Sequence, residues 1–125
     1  MNKYEAIYEL VCMVPSGKVA SYGMIASLLS GTTPRMVGFA LAGIGAAVPS
    51  DTDIPWQRII NSSGGISPRP GAERHYKTLE GEGVCFSKSG KVNWKEVRWQ
   101  GPDEAWLEKR GIEFHDFLSI QFGWP

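Results

Sequence analysis

Apolar residues recur at helical spacing through the first third of the chain. Ile7, Leu10, Val11 and Val14 mark one face of a helix expected over Lys3 to Met13, and the turn residues Pro15, Ser16 and Gly17 close it. A second pattern follows in "VASYGMIASLLSG": Ile25, Leu28 and Leu29 share a short helix that Ser21 can cap and Gly31 can stop. A third opens at Thr33 and Pro34, an N-cap residue followed by proline at the first helical position, where its missing N–H costs nothing. Val37, Leu41 and Ile44 should face inward on that helix, while Gly38, Ala42 and Gly43 leave parts of its surface nearly bare.

After Asp51 to Asp53 the pattern changes to extended chain. "RIIN" predicts a strand, "SSGG" a turn and "ISPRPG" a proline-stiffened loop. A helix from Ala72 to Glu82 should turn Tyr76 and Leu79 inward, and "VCFSKSGKVNW" should form a hairpin turning at Ser89-Gly90. The last stretch, "GPDEAWLEKRGIEFHDFLSIQFGWP", predicts a capped helix and an aromatic tail. A first helix followed by two more across a tight glycine turn is the outline of a helix-turn-helix, although many small helical domains share it.

Composition narrows the function classes. The chain has 125 residues, enough for one domain with a modest core, and 13 basic residues balance 13 acidic ones. Net neutrality by itself argues against a strongly electrostatic nucleic-acid binder, but the charge is unevenly spread. No acid occurs between Leu10 and Ser50, so one face can tolerate phosphates. No run reaches the roughly 18 apolar residues of a membrane span, and acids interrupt the N-terminal apolar positions where a secretion signal would need none. A soluble cytoplasmic monomer without membrane contact is expected. Two cysteines are too few for a disulfide framework or a CxxC zinc site. Cys12, on the apolar face of the first helix, and Cys85, in "VCF", are expected to be buried and inert. His75 and His115 stand apart from any ligand cluster, so neither metal nor cofactor is expected.

Three blocks in order, "SGKVASYGMIASL", "PRMVGFAL" and "IPWQRIINSSGGIS", carry a resemblance to the DNA-binding half of the O6-alkylguanine-DNA alkyltransferases. It covers roughly residues 5 to 86 and implies a mainly helical winged helix-turn-helix with a small β component. In active members a Pro-Cys-His-Arg motif holds the nucleophile. Here the motif reads Pro55-Trp56-Gln57-Arg58, which resembles the alkyltransferase-like branch, whose members bind without reacting. The chemistry agrees. Alkyl transfer from guanine O6 needs a thiolate and a base to make it. Indole offers one N–H and no nucleophile, and the Gln57 amide does not titrate. Glu82 resembles the glutamate that polarises the family's histidine, and here that relay partner is missing.

The resemblance implies a role for each matching position. Tyr22 would press on a phosphate and help rotate the target nucleotide, and Arg35 would fill the gap left in the duplex. Gly38, Ala40 and Ala42 would line the helix side facing the groove. Pro55, Trp56, Arg69 and Tyr22 would form the pocket for the flipped base, with Trp56 as a flat wall and Arg69 against the base. The expected partners are duplex DNA containing O6-alkylguanine and proteins of nucleotide excision repair. The alternatives are a transferase with another nucleophile and a helix-turn-helix transcription regulator. Against the regulator, the third helix offers few long polar side chains to read base edges. The domain is expected over residues 1–98, with 99–125 as a C-terminal extension.

Overall fold

The computed structural model describes residues 3–47 and 54–125. Asp51 to Asp53, where the chain is expected to become extended, lie outside the described residues. The helix-rich architecture expected from the sequence is observed.

Helix α1 (Lys3–Val11) buries Ile7, Leu10 and Val11. It ends two residues earlier than expected, because Met13 N–H bonds to Leu10 O and Val14 N–H to Val11 O, tightening the last turn. Strand β1 (Ala20–Ser21) runs parallel to β2 (Ile59–Ile60), with Ala20 opposite Ile59 and Ser21 opposite Ile60. On its other side Val19 bridges to Arg98: Val19 N–H donates to Val97 O and Trp99 N–H to Val19 O. This short extended segment is the seam between the front and back of the molecule.

Ser21 then changes the chain from strand to helix. Its Oγ accepts from Met24 N at 3.0 Å and starts α2 (Tyr22–Ser27), which buries Met24, Ile25 and Ala26. Gly31, at φ 70°, turns the chain into α3 (Pro34–Ala47), where Thr33 Oγ1 accepts from Met36 N at 3.2 Å. Val37, Leu41 and Ile44 are buried as expected. The Tyr8 hydroxyl donates to Ala40 O at 3.0 Å and ties α1 to the middle of α3. These contacts fix α3 as the outer helix of a helix-turn-helix.

The second half is built from α4 (Ala72–Gly81), α5 (Trp94–Val97), α6 (Glu104–Lys109) and α7 (Phe114–Phe122). Leu79 on α4 joins Val19, Ile60, Ile66, Val84, Val92 and Val97 in a small second core. The expected hairpin at Ser89-Gly90 is only a turn. Ser87 N–H bonds to Lys91 O at 2.8 Å, but Val92 N–H leaves for Gly64 O, so no two-stranded ladder develops.

Residues beyond 98 pack on the main core. Trp99, Trp106, Leu107 and Phe117 share one apolar cluster with Ile7, Leu10, Ile25 and Val37. The Trp124 ring stacks on Trp99 at 6.1 Å, and its indole N–H donates to Ser27 Oγ at 2.9 Å. Gly101 makes this possible: it sits at φ 115°, and a Cβ there would collide with the Phe117 ring. Both cysteines are exposed, against expectation. Cys12 falls just past the end of α1, off its buried stripe, and the apolar neighbours of Cys85 do not enclose it.

Candidate functional site

Behind α3 lies a cleft of about 500 Å³. One wall is the start of α2 and the outer side of α3, contributing Tyr22, Gly38 and Ala42. The opposite wall is the loop after β2 and the start of α4, contributing Asn61, Ser67, Arg69 and Arg74. Trp56 lies between them, on the 3-10 turn Trp56–Arg58. Pro55 does not line the cleft. It precedes that turn with φ −79° and ψ 65° and so aims the Trp56 ring.

Helix geometry decides which α3 residues take part. Successive residues rotate about 100°, so Arg35, Gly38, Phe39 and Ala42 fall on one side. Ala40 is turned about 200° from Gly38 and faces the core, 1% exposed, so its expected place at the groove is incorrect. Phe39 takes that position, 56% exposed, with the Arg35 guanidinium 5.2 Å from its ring centroid. The pairing holds Arg35 outward at the start of α3 by cation–π attraction. A Cβ added at Gly38 would meet nothing within 4 Å, so this stretch of helix is open to a close-approaching surface.

The Trp56 wall is braced from behind by a histidine. His75 packs edge-on against the Trp56 ring, with centroids 5.1 Å apart, and is itself 1% exposed. It does not stand apart, as the sequence suggested. Its Nε2 lies 2.7 Å from Gln57 O, and its Nδ1 lies 3.1 Å from an Arg69 amino group. A guanidinium only donates, so Nδ1 must accept and Nε2 must carry the proton. Burial holds the His75 pKa below its ordinary 6.5, the bond to Gln57 O opposes that, and the Arg69 charge reinforces it. His75 is therefore a neutral clamp that positions Arg69 over the cleft. Arg69 has a second tether, NH1 to Ser67 O at 3.3 Å.

Tyr22 rims the same cleft. Burial raises its phenol pKa, with the Arg69 charge pulling the other way, so the hydroxyl stays protonated and able to donate. Among the described residues none that lines the cleft carries a carboxylate, whereas Arg69 and Arg74 bring positive charge to it. The chain is neutral overall, but the described lining of this cleft is cationic.

Behind the wall, Glu82 is saturated. Its carboxylate accepts from Gln57 Nε2 at 2.9 Å, from Arg58 Nε at 3.0 Å and from Arg58 NH2 at 3.0 Å. Arg58 NH1 also donates to Val14 O at 2.8 Å, which locks this network to the end of α1. Burial pushes the Glu82 carboxyl up, but the Arg58 and Gln57 hydrogen bonds and the guanidinium charge outweigh it and hold the pKa below 4.5. Gln57 thus keeps a donor on Glu82 without being able to shuttle a proton. Among the described residues no cysteine lines the cleft, and the His75 imidazole behind Trp56 has both nitrogens engaged.

The sequence indicated Tyr22, Gly38, Ala42, Trp56 and Arg69, and the fold brings all of them to one cleft, with Arg35 on the adjoining α3 face. It missed Phe39, His75 and Arg74. Phe39 had a local signal, four residues after Arg35. His75 and Arg74 were silent, because their roles depend on how α4 docks.

The fold and cleft define a winged helix-turn-helix domain with a pocket beside its outer helix that Trp56, Arg69 and Arg74 line. Residues 2–84 match the family described as the 6-O-methylguanine DNA methyltransferase DNA-binding domain. The chain belongs to this family. It is 36% identical over 105 residues to alkyltransferase-like protein 1 of Schizosaccharomyces pombe, covering 78% of this chain and 94% of that protein. It is 33% identical over 97 residues to a DNA base-flipping protein of Escherichia coli, covering 76% and 72% respectively. The crystal structure of S. pombe Atl1 in complex with damaged DNA containing O6-carboxymethylguanine superposes with a TM-score of 0.66 at 38% identity, over 78% of this chain and 94% of that one.

Proposed function

We propose that this protein recognises O6-alkylguanine in duplex DNA, receives the rotated base in the cleft beside Trp56, and holds it without repairing it. One observation carries the reading: Trp56 lines a cleft of about 500 Å³, large enough for a ligand, and by resemblance its position is the one that holds the thiolate in the family's active members. The structure of the S. pombe relative with damaged DNA supports it, as does the name of the E. coli relative.

In this reading α3 enters the groove with Arg35, Gly38, Phe39 and Ala42 outward. Arg35 fills the space the base leaves, and the Tyr22 hydroxyl donates to the phosphate beside it. Trp56 stacks on one side of the extruded ring, an interaction worth about 1–3 kcal/mol. Arg69 meets it from the opposite loop. A base with an alkylated O6 is favoured by shape and polarity rather than by a reaction. The protein acts as a cytoplasmic monomer, and the held lesion is the flag that nucleotide excision repair proteins read.

The test compares binding to two duplexes that differ only by one O6-methyl group. Tighter binding to the methylated duplex, with the lesion intact after long incubation, is the expected result. Loss of the methyl group from DNA, or its mass on the protein, would restore the transferase reading with Cys12 or Cys85 as nucleophile. Neither cysteine lines the cleft.

A further inference from the structure

The strongest feature outside the cleft is on α7. Among the described residues, five large apolar side chains are exposed, and three of them, Phe114, Leu118 and Phe122, follow one another at four-residue spacing on this helix. They are 58%, 45% and 93% exposed. Phe114 also lines a groove of about 440 Å³ between α6 and α7, whose floor is Leu107 and Ile112 and whose rim is Glu104, Glu108 and Glu113. Among the described residues no cation lines this groove. It shares no residue with the DNA cleft and lies beyond the residues that match the family.

We propose that the α6–α7 groove and the Phe114–Phe122 stripe form a docking site for an amphipathic helix of a partner protein. That helix carries Lys or Arg beside its apolar face. Apolar residues spaced at successive turns fit a helix laid into a groove, and burying an isolated stripe of this kind releases ordered water. The rim chooses the occupant. Three carboxylates repel nucleic acid and anionic lipid alike, and a second copy of the chain would bring two acidic rims together. A basic amphipathic helix is the one occupant that satisfies both the floor and the rim. Its use in recruiting repair proteins rests on the lesion-marking function, but the docking is measurable without DNA.

The probe is a synthetic amphipathic peptide with leucine on one face and lysine on its flanks, against a twin with glutamate in place of lysine. Saturable binding of the lysine peptide is expected, weakening with salt, with at least about tenfold lower affinity for the twin. Combined Phe114→Ser, Leu118→Ser and Phe122→Ser should lower affinity about tenfold or more, the loss typical of central apolar anchors. Combined Glu104→Lys, Glu108→Lys and Glu113→Lys should invert the peptide preference. Both variants should bind lesion DNA as the parent does. Equal affinity for the two peptides, or unchanged binding by the serine variant, overturns the proposal. So does concentration-dependent dimerisation in sedimentation that the serine substitutions abolish, because the occupant is then a second copy. Failure to prefer methylated DNA, with peptide binding intact, overturns the function proposed for the cleft and leaves this surface standing.

Discussion

His75 gives the sharpest handle on how the cleft prefers its ligand. Replacing it with glutamine puts an amide nitrogen near the position of Nε2 and keeps a donor for Gln57 O, but removes the acceptor that holds Arg69 at 3.1 Å. Arg69 is then left with the longer bond to Ser67 O, at 3.3 Å. If Arg69 contributes about 1–2 kcal/mol as a cation over the captured base, the preference for methylated over unmodified duplex should fall roughly fivefold to thirtyfold. Binding to unmodified duplex should barely change. His75→Asn makes the complementary change: its amide oxygen can take the place of Nδ1 and restore the preference, while Gln57 O loses its donor and stability falls by about 1–3 kcal/mol. Acid should mimic the glutamine variant in the parent protein. The folded pKa of His75 lies below 6.5, so as pH falls from 6.5 the unfolded chain takes up the proton first. Stability then declines by about 1.4 kcal/mol per pH unit until the folded pKa is reached, and is flat below it. Once protonated, His75 repels Arg69, and lesion preference disappears through that same folded pKa. Fluorescence anisotropy with the paired duplexes, followed from pH 8 downward for as long as the protein stays folded, measures the effect. A glutamine variant with parental preference and a parental pH profile would refute the clamp.

Three further outcomes follow from the geometry. Glu82→Ala strands the Arg58 guanidinium in a site where both side chains are under one-fifth exposed, and should cost about 2–4 kcal/mol in denaturant unfolding. Because the Glu82 pKa is depressed, its stabilisation is present above pH 4.5 and lost as pH falls through the folded value, and the alanine variant should lack that acid limb. Tyr22→Ala and Arg35→Ala should weaken binding to damaged and undamaged duplexes alike, each by roughly tenfold, since both contact the helix rather than the lesion; a selective effect on the methylated duplex would reassign them. Trp56→Cys should show no alkyl transfer by mass, because a thiol with pKa about 8.5 and no base is only a few per cent thiolate. Trp56→Cys with Gln57→His, which puts an imidazole beside Glu82, should show slow transfer, and rapid transfer by the single variant would show that Gln57 is no barrier.

Local signals carried much of this structure. Thr33 and Pro34 announced the start of α3, Ser21 that of α2, and Val37, Leu41 and Ile44 its buried side, because caps and periodicity act over one or two turns. The motif around Trp56 located the cleft. What was illegible depends on distant contacts. Glu82 seemed to have lost its relay partner, yet it holds both Gln57 and Arg58, 25 and 24 residues away. His75 looked isolated until α4 laid it against Trp56. Ala40 is a different failure, since three small residues at alternate positions cannot share a helix side, and only one face of α3 is free. Phe114, Leu118 and Phe122 read as an undifferentiated aromatic tail because their exposure depends on which side Phe117 and Trp124 bury.

On the proposed function, the residues at positions 56 and 57 make sense together. An enzyme gains rate only from interactions that are stronger in the transition state than in the bound ground state, whereas a marker protein needs the ground state itself held long enough to be found. Trp56 offers stacking area and no reactive atom, which favours the ground state. Gln57 is the conservative half of the change. Without a donor there, Glu82 Oε2 would lose its 2.9 Å bond, and the carboxylate that anchors Arg58 to Val14 O would be less well held. An amide supplies that donor at every pH and cannot transport a proton. The Gln57–Glu82–Arg58 frame then stiffens the turn that presents Trp56. A rigid wall loses less entropy when a base stacks on it, so on the proposed function this network should contribute to affinity without touching the base.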